Sequence, residues 1–271
     1  MLWGLMRDKL ALVLPTALIL AAEALFFGNY AEGSLELHLL NIFLCIMLSI
    51  FLTKGADLYT AFALVSLLRV LNIGMPRFFH LSIYFYPFIY LPVIVACFLL
   101  WYVNNVPEGS KLTRYKIWQF FNGNNGEERP NFHWWYVPAA LIIGLGLSIV
   151  EYIVLKPESL IPDMSMANQA VLLVVMVFFV GFGEELVFRA ILQTRVQEHT
   201  GPVIAIIFSS LLFAVMHSGY HSDIYLAYVF LVGLLLGYSY YRTKNLIFVA
   251  LVHGMLNFFL FSYLPFSGWL V

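Results

Sequence analysis

The sequence predicts an all-α fold, a polytopic transmembrane helix bundle of eight to nine spans, on three observations. Hydrophobic residues fill 62% of the 271 positions, where soluble domains run at about 45–50%. Charged residues fall to 11%, against about 25% in soluble domains. The apolar residues also gather into runs long enough to cross a bilayer. That takes about 20 residues of helix, because hydrocarbon offers open backbone groups no partners. The net charge of −1 and the lack of a sustained basic surface argue against a nucleic-acid partner. Cys45 and Cys97 both sit inside apolar runs, with no CxxC or zinc-finger spacing, and read as small buried hydrophobes.

The spans follow in order as Leu10–Phe27, Leu35–Leu52, Ala56–Ile73, Ile83–Val103, Trp134–Leu155, Ala170–Gln193, Pro202–Met216, Ile224–Tyr241 and Leu246–Leu264. The first follows Arg7 and Lys9 like a signal peptide. Its length and Glu23, near where cleavage would fall, favour an uncleaved span. The third carries Asp57 and Arg69 and could be re-entrant, and the seventh is short. Gly233 and Gly237 form a GxxxG, read first as close helix packing inside the bundle and second as a dimer interface.

Lys and Arg in the loops set the orientation. With the N-terminus in the cytoplasm, ten of these residues fall on the inner side (Arg7, Lys9, Lys54, Lys111, Arg114, Lys116, Arg129, Arg195, Arg242, Lys244) and two, Arg77 and Lys156, on the outer. The expected location is therefore a membrane with the N-terminus inside, most simply a prokaryotic plasma membrane. The loop 104–133 separates front helices 1–103 from a back region 134–271. Its Lys111–Phe121 stretch is basic and aromatic together, suiting the inner headgroup layer, and Asn122–Gly126 reads as a turn.

The front half offers little chemistry to the eye, whereas the back half places polar groups at membrane depth. Each ionisable one costs about 2.5–3.5 kcal/mol there on insertion scales. In Gly181-Phe-Gly-Glu184-Glu185-Leu-Val-Phe-Arg189, Glu185 and Arg189 are four apart with the acid first, a favourable pair on one helix face. Glu184 points about 100° away, leaving it to face the interior as a candidate general base. The alternative is an ion pair and a protonated glutamate holding helices together. Phe213 and His217 share a face, and His217 is either catalytic or a packing residue; His221 belongs to the outer loop. His253 and Asn257 are again four apart, able to donate two hydrogen bonds to one oxyanion or simply to join helices. At about 1.5 Å per residue, Glu184 lies roughly 21 Å from the inner turn near Glu198 and His217 roughly 28 Å. From the turn near Thr243, His253 lies roughly 15 Å and Asn257 roughly 21 Å. All four fall in one broad mid-membrane layer.

Glu-Glu-x-x-x-Arg, Phe-x-x-x-His and His-x-x-x-Asn on successive apolar helices resemble the CPBP family, the CAAX-processing and bacteriocin-processing (Abi) intramembrane proteases. The resemblance covers about 170–264. It implies an intramembrane endopeptidase acting on a membrane-anchored peptide or protein. Glu184 would activate water, His217 would assist, and His253 and Asn257 would hold the oxyanion, with Glu185, Arg189 and Phe213 supporting. No cofactor is favoured, since there is no His-Glu-x-x-His and asparagine is a poor zinc ligand. If zinc is present, Glu184, His217 and His253 would hold it with one position open. Two other classes stay in view: a proton- or cation-coupled transporter, and a non-catalytic immunity or binding member of the family.

Overall fold

The computed structural model describes residues 2–51, 56–78, 82–105 and 132–267, and every regular element among them is a helix. The helices are α1 (Leu2–Phe27), α2 (Ala31–Phe51), α3 (Ala56–Phe78), α4 (Tyr86–Asn105), α5 (Tyr136–Leu155), α6 (Met166–Thr200), α7 (Pro202–Val215), α8 (Asp223–Thr243), α9 (Leu246–Phe261) and α10 (Tyr263–Ser267). A 3-10 turn, Ile83–Phe85, leads into α4, and another, Ser218–Tyr220, follows α7. Eight stretches are long and apolar enough to cross a membrane, and α1 adds a shorter apolar one at Leu12–Phe27. This is a polytopic, integral membrane protein. The Lys111–Phe121 stretch, the Asn122–Gly126 turn, Lys54 and Arg129 lie outside the described residues.

The third segment is a complete helix, not a re-entrant one. Its Leu58, Tyr59, Phe62, Val65 and Leu68 are buried, and of the two charges that made the span look weak, Arg69 pairs with Glu23 inside the protein while Asp57 stands exposed in the first turn. Polar residues cap the starts of two of these helices. Ser165 accepts the Asn168 amide at the start of α6, and Asn245 accepts the Phe248 amide at the start of α9. Before α6, hydrogen bonds from Ser165 and Asn168 hold the Asp163 carboxyl below the usual carboxylate range. Gly201 (φ 88°) closes α6, and Pro202 opens α7 in the first-turn position where its missing N–H leaves nothing unsatisfied.

The chain divides into two compact units. Unit 1 comprises Met1–His80 and Val187–Leu234, so it holds α1–α3, the end of α6, α7 and the start of α8. Here α2 packs on α1 and α3, and the 3-10 turn after α7 packs on α1. A Cβ on Gly233 would stand 3.0 Å from Ser210 Cβ, so this glycine serves close packing of α8 on α7. Unit 2 comprises Leu81–Leu186 and Leu235–Val271. Its centre is α9, which packs on α5, the first part of α6 and α10.

Candidate active site

In unit 2 the glutamate pair sits on an irregular helix. Within α6, the α turn Phe182–Glu185 lies between two π-helical stretches, Val175–Gly181 and Leu186–Gln193. Such wide turns are rare, mostly single, and frequent at functional sites. They also pack more residues into a given length than α-helix, so a uniform 1.5 Å rise overstates how far Glu184 lies from the end of α6.

Glycines let α9 come against this stretch. A Cβ on Gly181 would stand 2.7 Å from the Gly254 nitrogen and 2.8 Å from the Ala250 carbonyl oxygen. One on Gly254 would stand 2.6 Å from Val177 Cα, and one on Gly144 of α5 would meet Met255 Cβ at 2.8 Å. Three positions without side chains thus seat α9 between α5 and α6 at backbone contact. That approach delivers His253 to the glutamates. Its Nδ1 lies 2.9 Å from Glu185 Oε1, and its Nε2 lies 3.9 Å from Glu184 Oε2. Since a carboxylate oxygen accepts, Nδ1 carries the proton toward Glu185. Asn257 lies one helical turn further along α9, 9% exposed.

One expectation gains a partner here, and another changes. Sequence spacing assigns Glu185 to Arg189, but its carboxylate also accepts from His253, so it orients the ring. His253 therefore has only Nε2 to offer a reacting group. Equally, the front half is not poor in chemistry. The Tyr90 hydroxyl of α4 donates to Glu184 Oε1 at 2.5 Å, and its ring edge lies against Gly183, where a Cβ would stand 2.8 Å from Cδ1. Tyr86 stacks on Tyr90, ring planes 8° apart. Nothing in an apolar run rich in tyrosine marks one of them as a partner for a glutamate 94 positions away. Glu151 on α5, 5% exposed, is likewise hidden from a sequence reading by the apolar span around it.

Unit 1 holds the other expected residues. His217 follows α7, and its Nδ1 lies 2.8 Å from the Phe213 carbonyl oxygen. A carbonyl can only accept, so Nδ1 carries the proton and Nε2 becomes the nitrogen that can take one. The Phe213 ring lies 4.9 Å from the His217 ring and 5.1 Å from the guanidinium carbon of Arg189. Arg189 is fully buried and reaches Ser209 Oγ at 3.4 Å. His221 is exposed, as its loop position suggests.

Residues 165–259 match the family model for type II CAAX prenyl endopeptidases, Rce1-like. This stretch is similar to the CAAX-protease (CPBP) family. It contains Glu184, Glu185, Arg189, Phe213, His217, His253 and Asn257, whereas Tyr90 and all of α1–α5 lie outside the match. The match supports an intramembrane peptidase in general terms. No curated protein and no solved structure matches the chain.

The zinc alternative would use Glu184 and His253 of unit 2 with His217 of unit 1. Among the described residues, no group of three or more His, Cys, Asp or Glu gathers as one ion's ligands would. In unit 2, His253 Nδ1 is occupied by Glu185, leaving only Nε2 beside Glu184.

Proposed function

We propose that the CAAX-protease-like region is an endopeptidase whose base is Glu184. The observation that carries this reading is the placement of that carboxylate. Tyr90 holds one oxygen, and the other faces His253 Nε2, inside a protein-lined part of the membrane span. A carboxylate held so can take a proton from water as its oxygen attacks the substrate's carbonyl carbon. The oxyanion that forms on the carbonyl receives hydrogen bonds from His253 Nε2 and the Asn257 amide, four positions apart on α9. Donation from Nε2 requires both ring nitrogens protonated, and the Glu185 carboxylate at Nδ1 supplies the counter-charge. Glu184 then passes its proton to the leaving amine nitrogen as the C–N bond breaks. His217 keeps the assisting role that the family pattern implies, and its Nδ1–H form leaves Nε2 able to exchange a proton.

No step here runs through a metal, so a zinc chelator should leave the rate unchanged. The substrate is a protein or peptide anchored in the bilayer, with a prenylated CAAX tail as the first candidate because the family description names one. The excess of Lys and Arg on one side of the spans supports a cytoplasmic N-terminus in a prokaryotic plasma membrane. The test is purified protein in liposomes with a quenched fluorescent peptide ending in a farnesylated CAAX sequence. Wild type should cleave it and Glu184→Gln should not. An equal rate for the two rules out Glu184 as the base.

A further inference from the structure

Unit 1 buries a polar network that the reaction just described does not use. Glu23 of α1, His38 and Asn41 of α2, Ser66 and Arg69 of α3 and Ser218 after α7 are all at most 7% exposed. Arg69 Nη2 donates to Glu23 Oε2 at 2.6 Å and to Ser218 Oγ at 2.9 Å. The Ser218 hydroxyl in turn donates to Glu23 Oε2. On the other side, His38 Nε2 lies 3.0 Å from Glu23 Oε1, and His38 Nδ1 lies 3.2 Å from Ser66 Oγ. Asn41 Nδ2 donates to Ser66 Oγ at 2.8 Å. One set of roles satisfies every bond: Asn41 gives to Ser66, Ser66 to His38 Nδ1, and His38 Nε2–H to Glu23. The acid and the guanidinium balance in charge, which makes the network tolerable in an apolar span.

Helix glue for α1–α3 alone would close within those three helices, whereas this network reaches out to Ser218, the residue after His217. The same turn is gripped twice more. The Arg69 guanidinium lies 4.4 Å over the Phe26 ring, and that ring fills the space beside Gly219, where a Cβ would stand 2.6 Å from Phe26 Cε1. His221 Nδ1 lies 2.9 Å from the Phe27 carbonyl oxygen. Ser218, Gly219 and His221 are thus each fixed by α1 or α3, immediately beyond His217. We propose that Glu23, His38 and Arg69 are positioning residues, which hold the Ser218–Tyr220 turn and so set the orientation of His217. The catalytic consequence rests on the assisting role given to His217 above; the structural one does not.

Two amides report on the turn directly, because Tyr220 N–H donates to the His217 carbonyl and His221 N–H to the Ser218 carbonyl. Ser218→Ala removes one hydroxyl and leaves the Glu23–Arg69 pair together. Hydrogen exchange of the full chain in detergent should then rise about tenfold or more at these two amides, the scale of a lost hydrogen bond to a charged group. Exchange elsewhere should stay at wild-type values, and Ser218→Thr, which keeps the oxygen, should restore protection. On the farnesylated peptide, kcat should fall by a similar factor with KM held. Glu23→Gln should loosen the same two amides, but Ser218→Ala, the milder change, is the deciding variant. Wild-type exchange at Tyr220 and His221 in Ser218→Ala overturns the proposal, as does a rise shared by all helices. If wild type leaves the peptide uncut, the substrate reading falls, and the exchange comparison still decides this one.

Discussion

Gly254→Ala should disturb the site from the α9 side. Its new Cβ would stand 2.6 Å from Val177 Cα, 2.9 Å from Val177 Cγ2 and 3.0 Å from the Met176 carbonyl oxygen. Carbon atoms rest at about 3.5–4.0 Å, so α9 must move away from α6 by about 1 Å. Two of those three atoms are backbone and cannot swing aside. Overpacking of this kind costs about 1–3 kcal/mol, against the roughly 1 kcal/mol that Ala gains over Gly in a helix. The control is Gly146→Ala on α5, where a Cβ meets nothing within 4 Å. That variant should be neutral or slightly stabilising, while Gly254→Ala should lower the thermal midpoint in detergent. The same shift lengthens the 2.9 Å His253–Glu185 hydrogen bond, and a misplacement of that size can cost roughly 10²-fold in rate. Assayed on the farnesylated peptide, Gly254→Ala should lose most of its kcat. A variant with wild-type midpoint and wild-type kcat would refute the idea that glycine contacts seat His253.

Tyr90→Phe keeps the ring against Gly183 and removes only the bond to Glu184. It should lower kcat by the worth of a hydrogen bond to a charged group, about 1.5–3 kcal/mol, with little change in thermal midpoint. Glu185→Gln should reduce both kcat and stability, since it replaces the counter-charge of His253 in a buried position; unchanged unfolding in detergent would contradict this. Adding a zinc chelator to the purified protein should leave cleavage intact, and loss restored by added zinc would contradict the metal-free reading. For Asp163, the folded carboxyl titrates below its ordinary value, so its bonds to Ser165 and Asn168 persist above that value, 3.8, and are lost as pH falls beneath it. Protection of the Ser165 amide, corrected for intrinsic exchange, should drop in that acid range and not in Asp163→Ala.

The nine apolar runs map onto the observed helices because the bilayer demands continuous apolar helix and punishes anything else. Some ends are harder to read: α6 begins at Met166, ahead of the apolar run from Ala170, because Ser165 is a polar cap that hydropathy discards. The i, i+4 pairs His253/Asn257 and Phe213/His217 are legible because local helix geometry fixes them. What is not legible requires contacts between segments distant in sequence. Tyr90 reaches Glu184 across 94 positions, and Arg69 reaches Ser218 across 149. Glu23 looks like a barrier to signal cleavage and Arg69 like a flaw in a span, yet each is the other's partner. A charged residue in an apolar helix predicts that a partner exists, but sequence alone does not say which one. Likewise, i, i+4 spacing pairs Glu185 with Arg189, while the glycines that bring His253 to it work only in three dimensions.

The most direct measurement of the central claim is a comparison of protein termini in membrane fractions from cells carrying wild type or Glu184→Gln at equal abundance. New C-termini on membrane-anchored proteins should be present with wild type and absent with the variant, where the uncut precursors accumulate. Identical sets of termini in the two membranes would contradict a Glu184-dependent protease.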